Sequence, residues 1–293
     1  MKPPRPSGRE LLTTCEAEMS DDPATGDPTP GRTSRPVDRR KNVRLRPLRK
    51  VISEPAEPTL FWVVWLLNEG LKRFTLRDWR NQEKIPKTGG AVLVVNHVSN
   101  IDPVVFGQYL VYAGRWPRFL GKASLFRIPV IGRIITACGQ IPVERDTRNA
   151  AVALQQAVVA VLAGKCVSIY PEGTITLDPD LWPMTGRHGA ARIAFATGCP
   201  VIPVGQWGSQ EIMYGKQIHF PKLLPRKTLI LKAGDPVDLD DLREQQLSTA
   251  VLDEATDRIM NAITAIVAEL RGEEPPPVRF DARRQRRTKG QDR

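Results

Sequence analysis

Five short runs of apolar, mostly β-branched residues constrain this chain more than anything else in it: Ala91–Val95, Gln140–Val143, Val167–Tyr170, Pro200–Val204 and Thr228–Leu231. Each has the length of a strand, and Ala91–Val95 is apolar at every position rather than at alternate ones. A strand of that kind must be covered on both faces. The stretches between the runs supply the cover. Pro103–Val111, Asn149–Ala163 and Gly189–Thr197 carry apolar residues at helical spacing, and Gly164 and Gly198 stop two of them. A longer helix follows, with Leu252, Ala255, Ile259, Ile263, Ile266 and Leu270 on one face and Gly272 after it. This alternation predicts an α/β domain over residues 81–271, with a mixed, mostly parallel sheet covered by helices.

The two ends read differently. The first 60 residues hold 10 of the 26 prolines and few large apolar groups before Val51. They bury too little apolar surface to offset the entropy of ordering, so residues 1–59 are predicted to be a disordered basic arm. Residues 272–293, with Pro275, Pro276, Pro277 and then Arg283, Arg284, Arg286, Arg287 and Lys289, are predicted to be a disordered basic tail. Of the net charge of +11, residues 1–60 carry +3, the tail +3 and the middle +5. Within the arm, Arg32–Lys50 sets 9 basic residues against Asp38 alone. Such an excess calls for an anionic partner: nucleic acid, an anionic membrane or a phosphorylated substrate.

Between arm and domain lies Leu60-Phe61-Trp62-Val63-Val64-Trp65-Leu66-Leu67, with Lys72, Arg73, Arg77 and Arg80 beyond it. Tryptophan and cations around a short apolar patch predict a membrane-interfacial helical segment over 60–80; the alternative is a helix buried against the domain. No apolar run approaches the roughly 18 residues of a membrane-spanning helix, and the first 30 residues contain no secretory apolar region. The four cysteines, Cys15, Cys138, Cys166 and Cys199, form no CxxC pair and fit a reducing compartment, three of them as small buried apolar groups.

Polar residues with chemical potential gather just past the strands. Asn96-His97-Val98-Ser99-Asn100-Ile101-Asp102 follows Ala91–Val95. One turn brings a histidine and an aspartate five positions apart together, and a carboxylate-held imidazole is an oriented general base. Alternatively, His97 caps the helix that begins near Pro103. Tyr170-Pro171-Glu172-Gly173-Thr174 also ends a strand, where α/β proteins place ligand groups, and Gly173 permits close backbone approach; an ordinary surface turn is the other reading. Ile141-Pro142-Val143-Glu144-Arg145 presents a guanidinium able to grip phosphate, or one paired with Glu144 or Asp146.

Together and in this order, these blocks resemble the glycerophospholipid acyltransferase family, which includes the bacterial 1-acylglycerol-3-phosphate acyltransferases. Asn96–Asp102 is similar to the family's NHxSxxD block, Gly139–Arg145 to its second block, Tyr170–Thr174 to its third, and Val201-Ile202-Pro203-Val204 to its fourth. Gly121-Lys122-Ala123-Ser124-Leu125-Phe126, with Pro129 and Gly132, resembles the segment between the first two. Trp207-Gly208 after the fourth block suggests an actinobacterial member.

The resemblance implies an O-acyltransferase that moves a fatty acyl group from acyl-CoA or acyl-ACP to a hydroxyl of 1-acylglycerol-3-phosphate or a related lysophospholipid, with no cofactor and no metal. In that scheme His97 takes the hydroxyl proton and Asp102 orients His97. Arg145, Glu172, Gly173 and Thr174 hold the glycerol phosphate, with Lys122 and Ser99 as further contacts. Pro203 and Val204 shape the acyl or thioester channel. Ile175 stands where the family often has arginine, which leaves the acceptor open: either Arg187, Arg192 or Lys165 compensates, or the acceptor is a larger lysophospholipid. The expected setting is the cytoplasmic face of the membrane, peripherally bound, with an anionic lipid surface and no nucleic acid as partner. Other readings are glycerol 3-phosphate or a larger lysolipid as acceptor, a hydrolase using the same His–Asp pair on water, and a basic nucleic-acid-binding protein. No basic–aromatic stripe supports the last of these.

Overall fold

The structure, a computed structural model, describes residues 43, 45–52, 54, 55, 57–144, 150–215 and 220–282. In chain order its elements are α1 (Pro58–Phe74), β1 (Thr75–Arg80), β2 (Ala91–Val95), α2 (Asp102–Tyr112), β3 (Pro117–Lys122), α3 (Ala123–Phe126), α4 (Ile131–Ala137), β4 (Ile141–Val143), α5 (Ala150–Leu162), β5 (Cys166–Ile169), α6 (Gly189–Thr197), β6 (Val201–Trp207), β7 (Lys227–Ala233), α7 (Asp240–Arg243) and α8 (Thr249–Arg271). The seven strands form one sheet in the order β1-β7-β6-β2-β5-β3-β4. Every neighbouring pair is parallel except β6 and β7. The architecture is therefore the expected α/β one, with a mixed, mostly parallel sheet.

The side-chain alternation of β2 shows why the run is apolar throughout. Val92 and Val94 pack with α5, α6 and α8 on one face, while Ala91, Leu93 and Val95 pack with α2 on the other. Fully buried side chains of this kind stabilise the fold by about 1.5–3 kcal/mol each. The α8 helix is held at both ends. Ser248 accepts from the Val251 N–H at 3.3 Å, and Gly272 closes the helix in the left-handed region.

Three boundaries differ from expectation. The segment 60–80 is not one helix: α1 stops at Phe74, where the Thr75 hydroxyl donates to the Leu71 carbonyl at 2.6 Å, and 75–80 is an edge strand of the sheet. The domain therefore begins before residue 81. The last part of the arm is docked, because Glu54 and Glu57 find buried partners. The Trp116 N–H donates to Glu54 at 3.0 Å, and Arg118 pairs with Glu57 at 2.6 Å. The start of the tail is also packed: the Thr185 N–H donates to the Phe280 carbonyl at 3.1 Å, and Arg279 pairs with Asp257 at 2.8 Å. The remainder of the arm and residues 283–293 lie outside the described residues. Among the described residues no helix is long and apolar enough to cross a membrane. On α1, Leu60, Asn68 and Leu71 are buried, while Trp62 is 60% and Leu66 66% exposed.

Candidate active site

The centre of the sheet places three parallel strands side by side, β5, β2 and β6, and their C-terminal ends converge on one point. The chain leaves β2 at Asn96 and turns into α2, whose first residue is Asp102. The Asp102 carboxylate has no exposed area and gathers four donors. Its Oδ2 accepts from the N–H groups of Val98 at 2.7 Å and Ser99 at 2.8 Å, and lies 2.8 Å from Nδ1 of His97. Its Oδ1 accepts from the Ser209 hydroxyl, carried by the turn after β6. An acceptor so surrounded fixes the imidazole tautomer: Nδ1 carries the proton, and Nε2 keeps its lone pair. The His97 ring stacks on Tyr170 at the end of β5, with centroids 4.1 Å apart.

A second carboxylate braces the turn from behind. Glu172 accepts from the His97 N–H at 2.9 Å and from the Met184 N–H at 3.1 Å. Burial pushes its carboxyl up to about 8, against the pull of those two donors and with the charge of Asp102 adding to the rise. The β2 and β6 ends are locked together as well: the side chain of Asn96 exchanges hydrogen bonds with the Gln206 backbone at 2.8 and 3.0 Å, and the Gln206 amide donates to the Asn96 carbonyl at 2.7 Å.

His97 opens onto a cavity of about 1070 Å³. Its wall carries His97, Lys122, Gly173, Thr174 and Arg187, and elsewhere Asn68 and Gln108, which bond to each other at 2.8 Å. Most of the lining is apolar, with Leu60, Val64, Leu67 and Leu71 of α1, Val104 and Val111 of α2, Phe119, and Ile134 and Ile135 of α4. Gly173 adopts φ +73°, and a Cβ there would lie 2.8 Å from Nε of Arg187, so glycine lets this cation pass close to the turn. An imidazole poised as a base on the wall of a mostly apolar cavity suits chemistry on an amphiphile.

Residues 77–207 match the family model described as Acyltransferase. The matched segment runs from within β1 to the end of β6 and contains the His97–Asp102 turn. It is 27% identical to the 1-acyl-sn-glycerol-3-phosphate acyltransferase of Borreliella burgdorferi over 60% of this chain and 69% of that one. It is 34% identical to a chloroplastic enzyme of the same name from Brassica napus, over 48% of this chain and 40% of that one. The crystal structure of the 1-acyl-sn-glycerophosphate acyltransferase of Thermotoga maritima shares the fold, with a TM-score of 0.55 at 23% identity, covering 74% of this chain and 83% of that chain.

The residues named from sequence separate into groups. His97, Lys122, Gly173 and Thr174 line the cavity, and Asp102 stands directly behind His97. Arg145 lies outside the described residues. Four assignments need correction. Ser99 is fully buried, and its hydroxyl donates to the Met213 carbonyl at 2.5 Å, so it ties down a loop rather than contacting substrate. Glu172 is turned inward onto backbone N–H groups and holds the catalytic turn. Pro203 and Val204 are buried in β6, in register with Val94 and Val95 of β2, where both faces of the sheet are covered; neither forms part of the cavity wall. The N–H groups just past β2 are committed as well, those of Val98 and Ser99 to Asp102 and that of His97 to Glu172, so none of the three is open to a developing oxyanion.

Sequence reasoning left out Ser209 altogether, since nothing marks a serine 107 positions from its partner. Of the three cations it named to stand in at Ile175, Arg187 lines the cavity, whereas Lys165 reaches Glu54 and Arg192 lies on the outer side of α6. Among the described residues, no group of three His, Cys, Asp or Glu side chains is placed to hold a metal ion.

Proposed function

We propose that this protein transfers a fatty acyl group from a thioester, acyl-CoA or acyl-ACP, to the free hydroxyl of 1-acylglycerol-3-phosphate or a closely related lysophospholipid. The carrying observation is the His97–Asp102 pair, 2.8 Å apart, with His97 on the wall of the mostly apolar cavity. Nε2 of His97 takes the proton of the acceptor hydroxyl as the oxygen bonds to the thioester carbonyl carbon. The tetrahedral adduct collapses with loss of the C–S bond, and Nε2 returns the proton to the leaving thiolate. No acyl-enzyme forms, so no nucleophilic serine or cysteine is needed. Asp102 stabilises the imidazolium between the two transfers. Lys122 and Arg187 supply the charge for the acceptor phosphate, and the apolar walls take an acyl chain. The names of the relatives from Borreliella burgdorferi and Brassica napus support this acceptor class. The exposed tryptophans of α1 and the cations of Arg32–Lys50 support work at the cytoplasmic face of an anionic membrane.

The test is product analysis by mass spectrometry, with a mixture of lysolipid acceptors offered together with acyl-CoA or acyl-ACP. Phosphatidic acid should form with the parent chain and be lost with His97→Ala. Turnover by His97→Ala, or release of free fatty acid without use of any acceptor, would overturn the reading.

A further inference from the structure

The exposed apolar surface is not confined to α1. The turn and helices of α3 and α4 leave Leu125, Ile128, Val130, Ile131 and Ile134 open to solvent. At the tip, Val130 is 64% exposed and sits at φ +67°. A β-branched residue seldom takes that conformation, and here it holds an aliphatic side chain outward, where water is the poorest neighbour for it. The hairpin is built to keep its shape. The Gly132 N–H donates to the Ile128 carbonyl at 2.8 Å, and a Cβ at Gly132 would fall 2.0 Å from the Phe126 carbonyl oxygen. From Lys122 to Ile134 the chain carries Lys122, Arg127 and Arg133 and no acidic residue. Arg127 pairs with Glu144 from outside the segment.

This hairpin is no isolated patch. Helix α4 packs on α1, whose own face exposes Trp62, Trp65 and Leu66. Leu67 of α1, Leu125 of α3 and Ile134 of α4 are both solvent-exposed and part of the cavity wall. The two elements are thus the lips of one opening, each apolar and each flanked by cations. We propose that the α3–α4 hairpin inserts into the surface of an anionic bilayer alongside α1, so that the cavity opens into the lipid and its acyl chain enters sideways without crossing water. Cations beside an apolar insert favour anionic headgroups over neutral ones. The inference rests on the acyl chain occupying this cavity, as in the proposed function.

The experiment uses the full chain carrying Cys15→Ser and Val130→Cys, labelled at position 130 with an environment-sensitive fluorophore; Cys138, Cys166 and Cys199 are buried. Vesicles of mixed phosphatidylglycerol and phosphatidylcholine should shift the emission to the blue, and brominated lipids should quench it. In parallel, the unlabelled triple variant Ile128→Glu, Val130→Glu, Ile131→Glu should partition into the same vesicles at least about tenfold more weakly. None of these three side chains lines the cavity, so activity on detergent-dispersed substrate should stay within about twofold. Emission that stays unshifted while the protein sediments with vesicles would overturn the proposal. So would a triple variant with unchanged vesicle binding but a smaller oligomer in sedimentation, which would assign the patch to a second copy. A parent chain that shifts and quenches but makes no phosphatidic acid would refute the proposed function and leave the insertion standing, since the fluorescence needs no turnover.

Discussion

Asp102→Asn separates the chemical role of the His97–Asp102 pair from its structural one. Three donors converge on Oδ2 of Asp102, and among the described residues only the Ser209 hydroxyl reaches Oδ1. An asparagine can keep its carbonyl oxygen on the crowded side and turn its amide to Ser209, whose hydroxyl rotates to accept. The fold should survive the exchange; the charge does not. Replacing a charge-assisted hydrogen bond by a neutral one costs about 1–2 kcal/mol. The loss grows in the transition state, where His97 is cationic: with Asp102 wholly buried, the lost attraction approaches about 4 kcal/mol at about 4 Å and an effective dielectric near 20. A loss of about 2–4 kcal/mol lowers kcat by about 30- to 900-fold. The acceptor KM should hold, since Asp102 exposes no atom to the cavity. Steady-state kinetics with varied acceptor, beside urea unfolding midpoints, makes the measurement. An unchanged midpoint with kcat within about twofold of the parent would refute the general-base argument.

Two further outcomes follow from the groups around this pair. Ser209→Ala removes one donor from Asp102 and should lower kcat by about five- to thirtyfold, corresponding to about 1–2 kcal/mol, at unchanged KM; Ser209→Thr should restore most of it, and a variant at parental kcat would remove Ser209 from the machinery. Glu172 titrates near 8 in the folded chain and near 4.5 when unfolded. Between those values the folded state holds a proton that the unfolded chain has released, so stability declines as pH rises across that window and levels off above it. Glu172→Gln abolishes this titration, and urea unfolding at about pH 5 and pH 8 should show the parent losing ground to the variant; a constant gap would contradict the raised value.

The central strands were legible because β2, β5 and β6 are apolar at nearly every position, which only a doubly covered strand tolerates. The edges were not. The β1 strand reads Thr-Leu-Arg-Asp-Trp-Arg, and its Arg77 and Asp78 are buried, so its polarity masks its place in the sheet. Likewise β3 begins with a proline and carries the buried Arg118. At the site, the turn after β2 was readable because His97 and Asp102 are local to each other. Which way a strand-end side chain faces was not. Glu172 and Thr174 are two residues apart, yet one braces backbone behind the turn and the other lines the cavity. Pro203 and Val204 lie in a block that resembles the family's fourth, but register with β2 buries them.

The meeting of β5, β2 and β6 has a consequence for how the protein comes to be. Glu172 lies 75 residues from His97, and Ser209 lies 107 from Asp102. Neither contact exists until parallel strands far apart in the chain have paired, the slow part of assembling such a topology. During synthesis, the His–Asp turn leaves the ribosome long before the strand that completes its support. A nascent chain ending before Ser209 carries the histidine and the aspartate, but lacks the hydroxyl that pins the carboxylate. Competence at this site is therefore a property of the finished sheet and arrives late.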